Sequence, residues 1–252
     1  MNMRICLTND DGYEASGLSV LARVAMEFGA TDIVAPATPQ SQMGHAVTLN
    51  HPLPVHRRQQ DGLGPVVVVA GTPADCVRVA LVGTDNPRPD WVLSGINHGA
   101  NLGIDVYYSG TVAAAREAAI HGVPAIALSQ FIRRPNPVNW EGAAIMVRRV
   151  LDRLLPDRCP RGTYWTVTLP AVEGDFDAVP MVEAPLSTDP LPLAYEKIGP
   201  VEDGSDVPSD GLHLRYAGRY TDRKIEPGTD VDVAFSGRIA ITRLSLSGTT
   251  ST

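Results

Sequence analysis

Short apolar segments that end in a polar, glycine-bearing turn and give way to a helix recur along the first 170 residues, and no other feature restricts the fold so tightly. In the clearest unit, residues 66–70 form a continuous apolar run, the mark of a strand covered on both faces. Gly71 follows, then Thr72-Pro73-Ala74-Asp75, which joins an N-cap threonine to proline at the first helical position and an acid in the first turn. The pattern begins with residues 4–7, turns at Thr8-Asn9-Asp10-Asp11-Gly12 and enters a helix from Ser16, where Leu18, Leu21, Ala22, Ala25 and Phe28 share helical spacing. Further strands are expected at residues 32–35, 91–93, 125–128 and 164–169, with helices at about 111–121 and 140–155. Such alternation predicts an α/β fold, a Rossmann-like doubly wound and mainly parallel sheet.

After residue 170 the texture changes. Proline, aspartate and glycine dominate residues 170–210, and the helical period disappears. Residues 212–216, 230–235 and 238–246 read as strands, with Ser236-Gly237 as a tight turn, which predicts a C-terminal β-hairpin extension. The expected organisation is an α/β core of residues 1–170 and an extension of residues 171–252 that serves as an oligomerisation arm. Arg57-Arg58 reads as part of a solvated loop. A net charge of −7 argues against a nucleic-acid polymer as partner. No apolar stretch approaches membrane-spanning length, and the first apolar run is interrupted too soon for a signal peptide. Cys6, Cys76 and Cys159 are scattered, with no zinc spacing, which fits a reducing cytoplasm.

The polar residues of interest all follow predicted strands, and in open α/β sheets ligands bind outside the carboxyl ends of strands. Asp10 and Asp11, Ser41, residues 94–101 and Ser109-Gly110-Thr111 can therefore share one crevice. Adjacent carboxylates on a strand point to opposite faces, so Asp10 and Asp11 meet one ion only if the chain turns there, as Gly12 permits. The alternative is a solvated acidic turn. Carboxylates, a serine hydroxyl and an asparagine amide oxygen are hard donors that suit Mg²⁺ or Mn²⁺, with Ca²⁺ a minor alternative. Ser109-Gly110-Thr111 stands at a helix start, where free N–H groups receive a phosphate or where Ser109 simply caps the helix. His121 reads as a helix C-terminal charge and His98 as a group near the leaving group. There is no GxSxG elbow, no P-loop and no GxGxxG after a strand. The adjacent acids, rather than Asp-x-Asp, favour attack by a metal-activated water over an aspartyl-phosphate route.

Three stretches together resemble the SurE (survival protein E) family of 5′/3′-nucleotidases: Leu7-Thr8-Asn9-Asp10-Asp11-Gly12, Gly71-Thr72-Pro73-Ala74-Asp75-Cys76-Val77, and Ser94-Gly95-Ile96-Asn97-His98-Gly99-Ala100-Asn101-Leu102-Gly103. Asp105-Val106 and Tyr108-Ser109-Gly110-Thr111-Val112 extend the likeness. The resemblance implies one divalent cation per subunit at Asp10, Asp11, Ser41 and Asn97. It implies catalytic roles for Asp10, Asp11 and Asn101, and a phosphate site at Ser109, Gly110 and Thr111. Substrates would be nucleoside monophosphates or another small phosphoester, and the assembly a homodimer or homotetramer. One loop departs from the family pattern: where Arg-Ser-Gly-x-Ser is usual, this chain has Gln40-Ser41-Gln42-Met43-Gly44. The alternatives that follow are a weakly active or inactive metal- and nucleotide-binding homologue, or a phosphatase for a non-nucleotide phosphoester. Ser16, Arg238 and Arg243 are smaller departures.

Overall fold

A computed structural model describes residues 3–133, 135–157, 159–199 and 212–247. The chain runs β1 (Arg4–Thr8), α1 (Ser16–Ala25), β2 (Ala30–Pro36), β3 (Val55–Gln60), β4 (Gly64–Val69), α2 (Pro73–Val82), β5 (Trp91–Asn97), α3 (Gly110–Ile120) and β6 (Ala125–Gln130). It continues with α4 (Trp140–Leu154), β7 (Thr163–Leu169), β8 (Met181–Glu183), β9 (Tyr195–Ile198), β10 (His213–Tyr216), α5 (Asp230–Phe235) and β11 (Ile239–Ser245). Nine strands form one sheet in the order β3-β4-β2-β1-β5-β6-β7-β11-β8. The pairs from β4 through β7 are parallel, while β3 and β11 run antiparallel to their neighbours β4 and β7.

Strand alternation divides the core into two layers. Ile5, Leu7, Leu93, Ile126 and Leu128 face α1 and α4, whose Leu18, Leu21, Met146 and Leu151 complete that layer. Cys6, Val92, Ala125 and Ala127 face the other way, onto α2 and α3. The alanines of α3 (Ala114, Ala115, Ala118) are fully buried, and their small size lets the helix lie close on the sheet. Thr72 caps α2 as expected. Its hydroxyl accepts from Asp75 N at 3.2 Å and its own N–H donates to Asp75 Oδ2 at 3.0 Å, a reciprocal capping box.

The crossover from β1 proceeds through β2 and β4 on one side and resumes at β5 on the other. The strand order thus reverses between β1 and β5. A crevice opens at such a point, outside the carboxyl ends of both strands.

Three local expectations change. Residues 230–235 form α5, not a strand: Val231 and Val233 alternate, but Asp230 and Asp232 sit in the first turn, where acids favour a helix. Asp232 also accepts from Gly228 N at 3.0 Å just ahead of that turn. The antiparallel hairpin is formed instead by β9 and β10, and β11 joins the main sheet beside β7. Arg57 and Arg58 belong to edge strand β3, held by its backbone pairing with β4 rather than lying in a loop. Residues 200–211, most of them in the stretch expected to lack helical period, lie outside the described residues.

Candidate active site

Asp10 and Asp11 converge on the crevice because the chain turns directly after β1. Asn9 Nδ2 donates to the Gly12 carbonyl at 2.8 Å, and Gly12 adopts φ +96°, a conformation costly for any residue with a Cβ. Asp10 then points at the start of α3, where its Oδ1 accepts from the Thr111 hydroxyl. Asp11 points to the loop after β5, where its Oδ2 accepts from His98 N at 3.0 Å. A Cβ at Gly110 would lie 2.9 Å from Asp10 Cβ and 3.1 Å from Asp10 Oδ2, so glycine is what allows the helix to close on this carboxylate.

Burial pushes the Asp10 carboxyl up to about 6; the Thr111 hydroxyl opposes this and the charge of Asp11 adds to it. Thr111 is therefore committed to Asp10. Ser109 caps α3 by accepting from Val112 N at 3.0 Å, and its hydroxyl proton remains available to donate. Ser41 is exposed on a loop pinned at both ends: Gln40 N donates to the Asp10 carbonyl at 2.7 Å and Gly44 N to the Tyr108 carbonyl at 3.0 Å. Between these anchors Gln42 takes φ +61°, the left-handed region that a glycine would occupy without strain. Asn97 Nδ2 donates to Gly99 O at 2.8 Å, which fixes the amide and leaves Oδ1 as the free acceptor. Asn101 is held by its backbone, its N–H donating to Ser129 Oγ at 3.3 Å and its carbonyl accepting from Thr168 Oγ1 at 3.5 Å.

Asn9 Oδ1, Ser94 Oγ and Asn101 Nδ2 are buried here without a hydrogen-bond partner. These three lie near the carboxyl ends of β1 and β5, and a bound group is one way such bonding is completed. No cluster of three or more His, Cys, Asp or Glu able to hold a metal is found among the described residues. Any cation site here therefore rests on the carboxylate pair completed by neutral oxygens. The donors present, two carboxylates with a hydroxyl and an amide oxygen, fit a hard divalent cation.

The family model described as Survival protein SurE matches residues 5–184. The chain belongs to the SurE family. A relative from Nostoc sp. is 41% identical over 96% of this chain and 99% of its own length. The 5′-nucleotidase SurE of Paramagnetospirillum magneticum is 37% identical over 96% of this chain and 90% of its own. Among solved structures, the SurE protein from Aquifex aeolicus superposes with a TM-score of 0.80 at 30% identity, covering 98% of this chain and 95% of that one.

Two ionic clusters, each built on a buried carboxylate, flank these residues, and sequence reasoning identified neither. Asp105 lies in the 3₁₀ turn Gly103–Tyr107, between Asn101 and Ser109. Arg223 grips it with two bonds, NH2 to Oδ1 at 2.9 Å and NH1 to Oδ2 at 3.1 Å, and Tyr220 OH donates to Oδ2 at 2.7 Å. Asp230 secures the same turn by accepting from Gly103 N at 2.7 Å and Ser187 N at 2.8 Å. In the second cluster, Glu117 of α3 meets Arg78, His45 and His121. Burial opposes ionisation of Glu117, yet these partners hold its carboxyl down at about 2. Through His45 the cluster ties the Ser41 loop to α3, and His121 does sit at the α3 C-cap. The sequence signals for these clusters were Asp105, within the motif that carried the resemblance, and His121, read as a helix C-terminal charge.

Proposed function

We propose that this SurE chain is a divalent-metal-dependent phosphomonoesterase that hydrolyses nucleoside 5′- and 3′-monophosphates to nucleoside and phosphate. The observation that carries this reading is that an acid pair whose Asp10 is buried, unpartnered neutral polar groups and a helix N-terminus all lie at the sheet's switch point. The 5′-nucleotidase named among the relatives supports the substrate class.

Asp10, Asp11, Ser41 and Asn97 would hold Mg²⁺ or Mn²⁺, which supplies Lewis-acid polarisation of a phosphoryl oxygen and lowers the pKa of an adjacent water. Asp11, the less buried acid, orients the attacking water and accepts its proton. Thr111 fixes Asp10 through its hydroxyl. Asn101 Nδ2 donates to one phosphoryl oxygen, and the Ser109 hydroxyl with the N-terminus of α3 receives another as charge redistributes. His98, beside Asp11 at the crevice rim, stands where the leaving alcohol departs.

The protein is further proposed to work in the cytoplasm, as its three free cysteines suit, and as a homodimer or homotetramer. Residues 171–252 would form the assembly arm. Its β9–β10 hairpin exposes Tyr195, Leu214 and Tyr216, an apolar surface that a second subunit would cover. Among the described residues no helix is long and apolar enough to cross a membrane.

The direct test is Asp11→Asn. The variant is expected to fold with an unchanged circular dichroism spectrum and to lose at least about 100-fold in turnover. Near-normal turnover with metal dependence retained would rule out this arrangement.

A further inference from the structure

Glu117 is a buried acid that the proposed chemistry leaves unused. It stands among the alanines of α3 with 1% of its side chain exposed, about two turns after the helix start proposed for phosphate. A carboxylate in such a place costs solvation unless donors surround it. Arg78 Nε at 2.5 Å and His121 Nε2 at 3.0 Å reach its Oε1, and His45 Nε2 reaches Oε2 at 2.8 Å. Arg78 lies on α2 and His121 at the α3 C-cap, so both belong to the helical layer itself. His45 differs from them, because it follows directly on the loop that carries Ser41.

The neighbours of His45 settle which way its bonds run. Ionised Glu117 can only accept, so Nε2 carries the proton and donates. Nδ1 then offers a lone pair, and it faces Arg116 NH1 at 3.4 Å, a group that can only donate. The same guanidinium donates to Val106 O at 2.8 Å and to Tyr164 OH at 3.0 Å. Both nitrogens of one imidazole are thus engaged by the adjacent α3 residues Arg116 and Glu117.

Ser41 has few other holds. Residues 41–43 are exposed, and among the described residues no side chain from Gln40 to Met43 bonds outside this loop. The Gln40 amide turns back to Thr38. Backbone bonds from Gln40 N and Gly44 N fix the two ends, and Gln42 between them takes φ +61°. Directly after Gly44, the His45 side chain adds a charge-assisted bond to a buried carboxylate, which ties the outgoing end to α3.

We propose that His45 is a positioning residue for the cation: its bond to Glu117 holds the loop so that the Ser41 hydroxyl joins Asp10 and Asp11 as a metal donor. This role rests on the metal site proposed above at Asp10, Asp11, Ser41 and Asn97.

Binding of Mn²⁺ alone to the full chain, read from the electron paramagnetic resonance signal of the free ion, tests the role without substrate or turnover. His45→Leu and His45→Asn both break the bond, since Leu has no donor and the Asn amide is too short to reach Glu117. Glu117 keeps Arg78 and His121 in either variant, so the circular dichroism spectrum should be unchanged. Each variant should weaken Mn²⁺ binding at least about tenfold, as removal of a support behind a metal ligand typically does. His45→Gln keeps an N–H where Nε2 stood and should recover most of that affinity. Repeating His45→Leu beside Ser41→Ala separates positioning from general stabilisation. If His45 acts through Ser41, the second change costs less than about twofold once the hydroxyl is gone. A loss below about tenfold in both single variants, or an equal loss with and without the Ser41 hydroxyl, would overturn the inference while leaving the Asp10–Asp11 site intact. An unaltered protein that binds no Mn²⁺ would remove the metal-site reading and the inference together.

Discussion

Removal of the Arg223 guanidinium tests whether the C-terminal segment holds the Gly103–Tyr107 turn in place. Arg223 is almost fully buried, with 1% of its side chain exposed, and it faces Asp105, 10% exposed. In Arg223→Met, Asp105 keeps the donors from Tyr220 OH and Leu102 N but loses both charged ones. The Leu102 carbonyl loses its NH1 donor, at 3.2 Å, as well. An uncompensated buried carboxylate costs about 3–5 kcal/mol. For a chain of 252 residues that corresponds to a fall of about 6–20 °C in Tm, read by differential scanning calorimetry. Since Asp105 lies between Asn101 and Ser109, kcat/KM should also fall at temperatures well below unfolding. The double variant Arg223→Met with Asp105→Leu removes the stranded charge and should recover much of the lost stability. A loss below about 1 kcal/mol in the single variant, or a double variant no more stable than the single, would refute the reasoning.

Asp10→Asn should abolish hydrolysis yet stabilise the metal-free protein. The folded pKa of about 6 exceeds the ordinary 3.8, so the Asp10 contribution to metal-free stability is fully present below about 3.8 and is lost as pH rises toward 6. At pH 7.5 the variant should gain about 3 kcal/mol in EDTA, a difference that closes at pH 4 when thermal denaturation is repeated there. Glu117 carries the opposite sign: its folded pKa of about 2 lies under the ordinary 4.5, so its contribution is present above pH 4.5 and is lost as pH falls toward 2. Acid titration of Glu117→Gln, followed by circular dichroism, should show up to about 3 kcal/mol less stability at pH 7 and a shallower slope in that window. Gln42→Gly relieves a side chain held at φ +61° on the Ser41 loop. Its Tm should move by only a few degrees while KM for nucleotides falls; an unchanged KM would show that the Gln42 side chain does not impede the site.

Much of the fold was legible because its signals are local. Thr72-Pro73-Ala74-Asp75 names a helix start by capping chemistry alone, and the structure forms that capping box. Each strand of the parallel core is a short apolar run, since it must be buried on both faces. Edge strand β3 was hidden for the converse reason. Val55 and Arg57 are exposed, and pairing with β4, a tertiary contact, is what makes the segment a strand. In α5 the alternation of Val231 and Val233 imitated a strand, while the acids of its first turn and its packing beside Leu102 favour a helix.

The candidate site divides along the same line. Asp10, Asp11, Asn97 and Ser109 could be singled out as candidates because each stands at or just after a strand end or caps a helix. The grip of Arg223 on Asp105 spans 118 positions and leaves no local pattern. The cluster joining His45 to Glu117 across 72 positions is equally silent in the sequence. Thr111 was placed against phosphate by its position at the helix start, whereas its hydroxyl is bound to Asp10, a relation that only the approach of α3 to β1 reveals.

The central claim is metal-dependent hydrolysis at the crevice between β1 and β5. Phosphate release from a panel of nucleoside 5′- and 3′-monophosphates, assayed with Mg²⁺, with Mn²⁺ and with EDTA, tests it most directly. The account predicts release that either metal supports and EDTA abolishes. Release that persists undiminished in EDTA, or no release from a folded protein that still binds the metal, would contradict it.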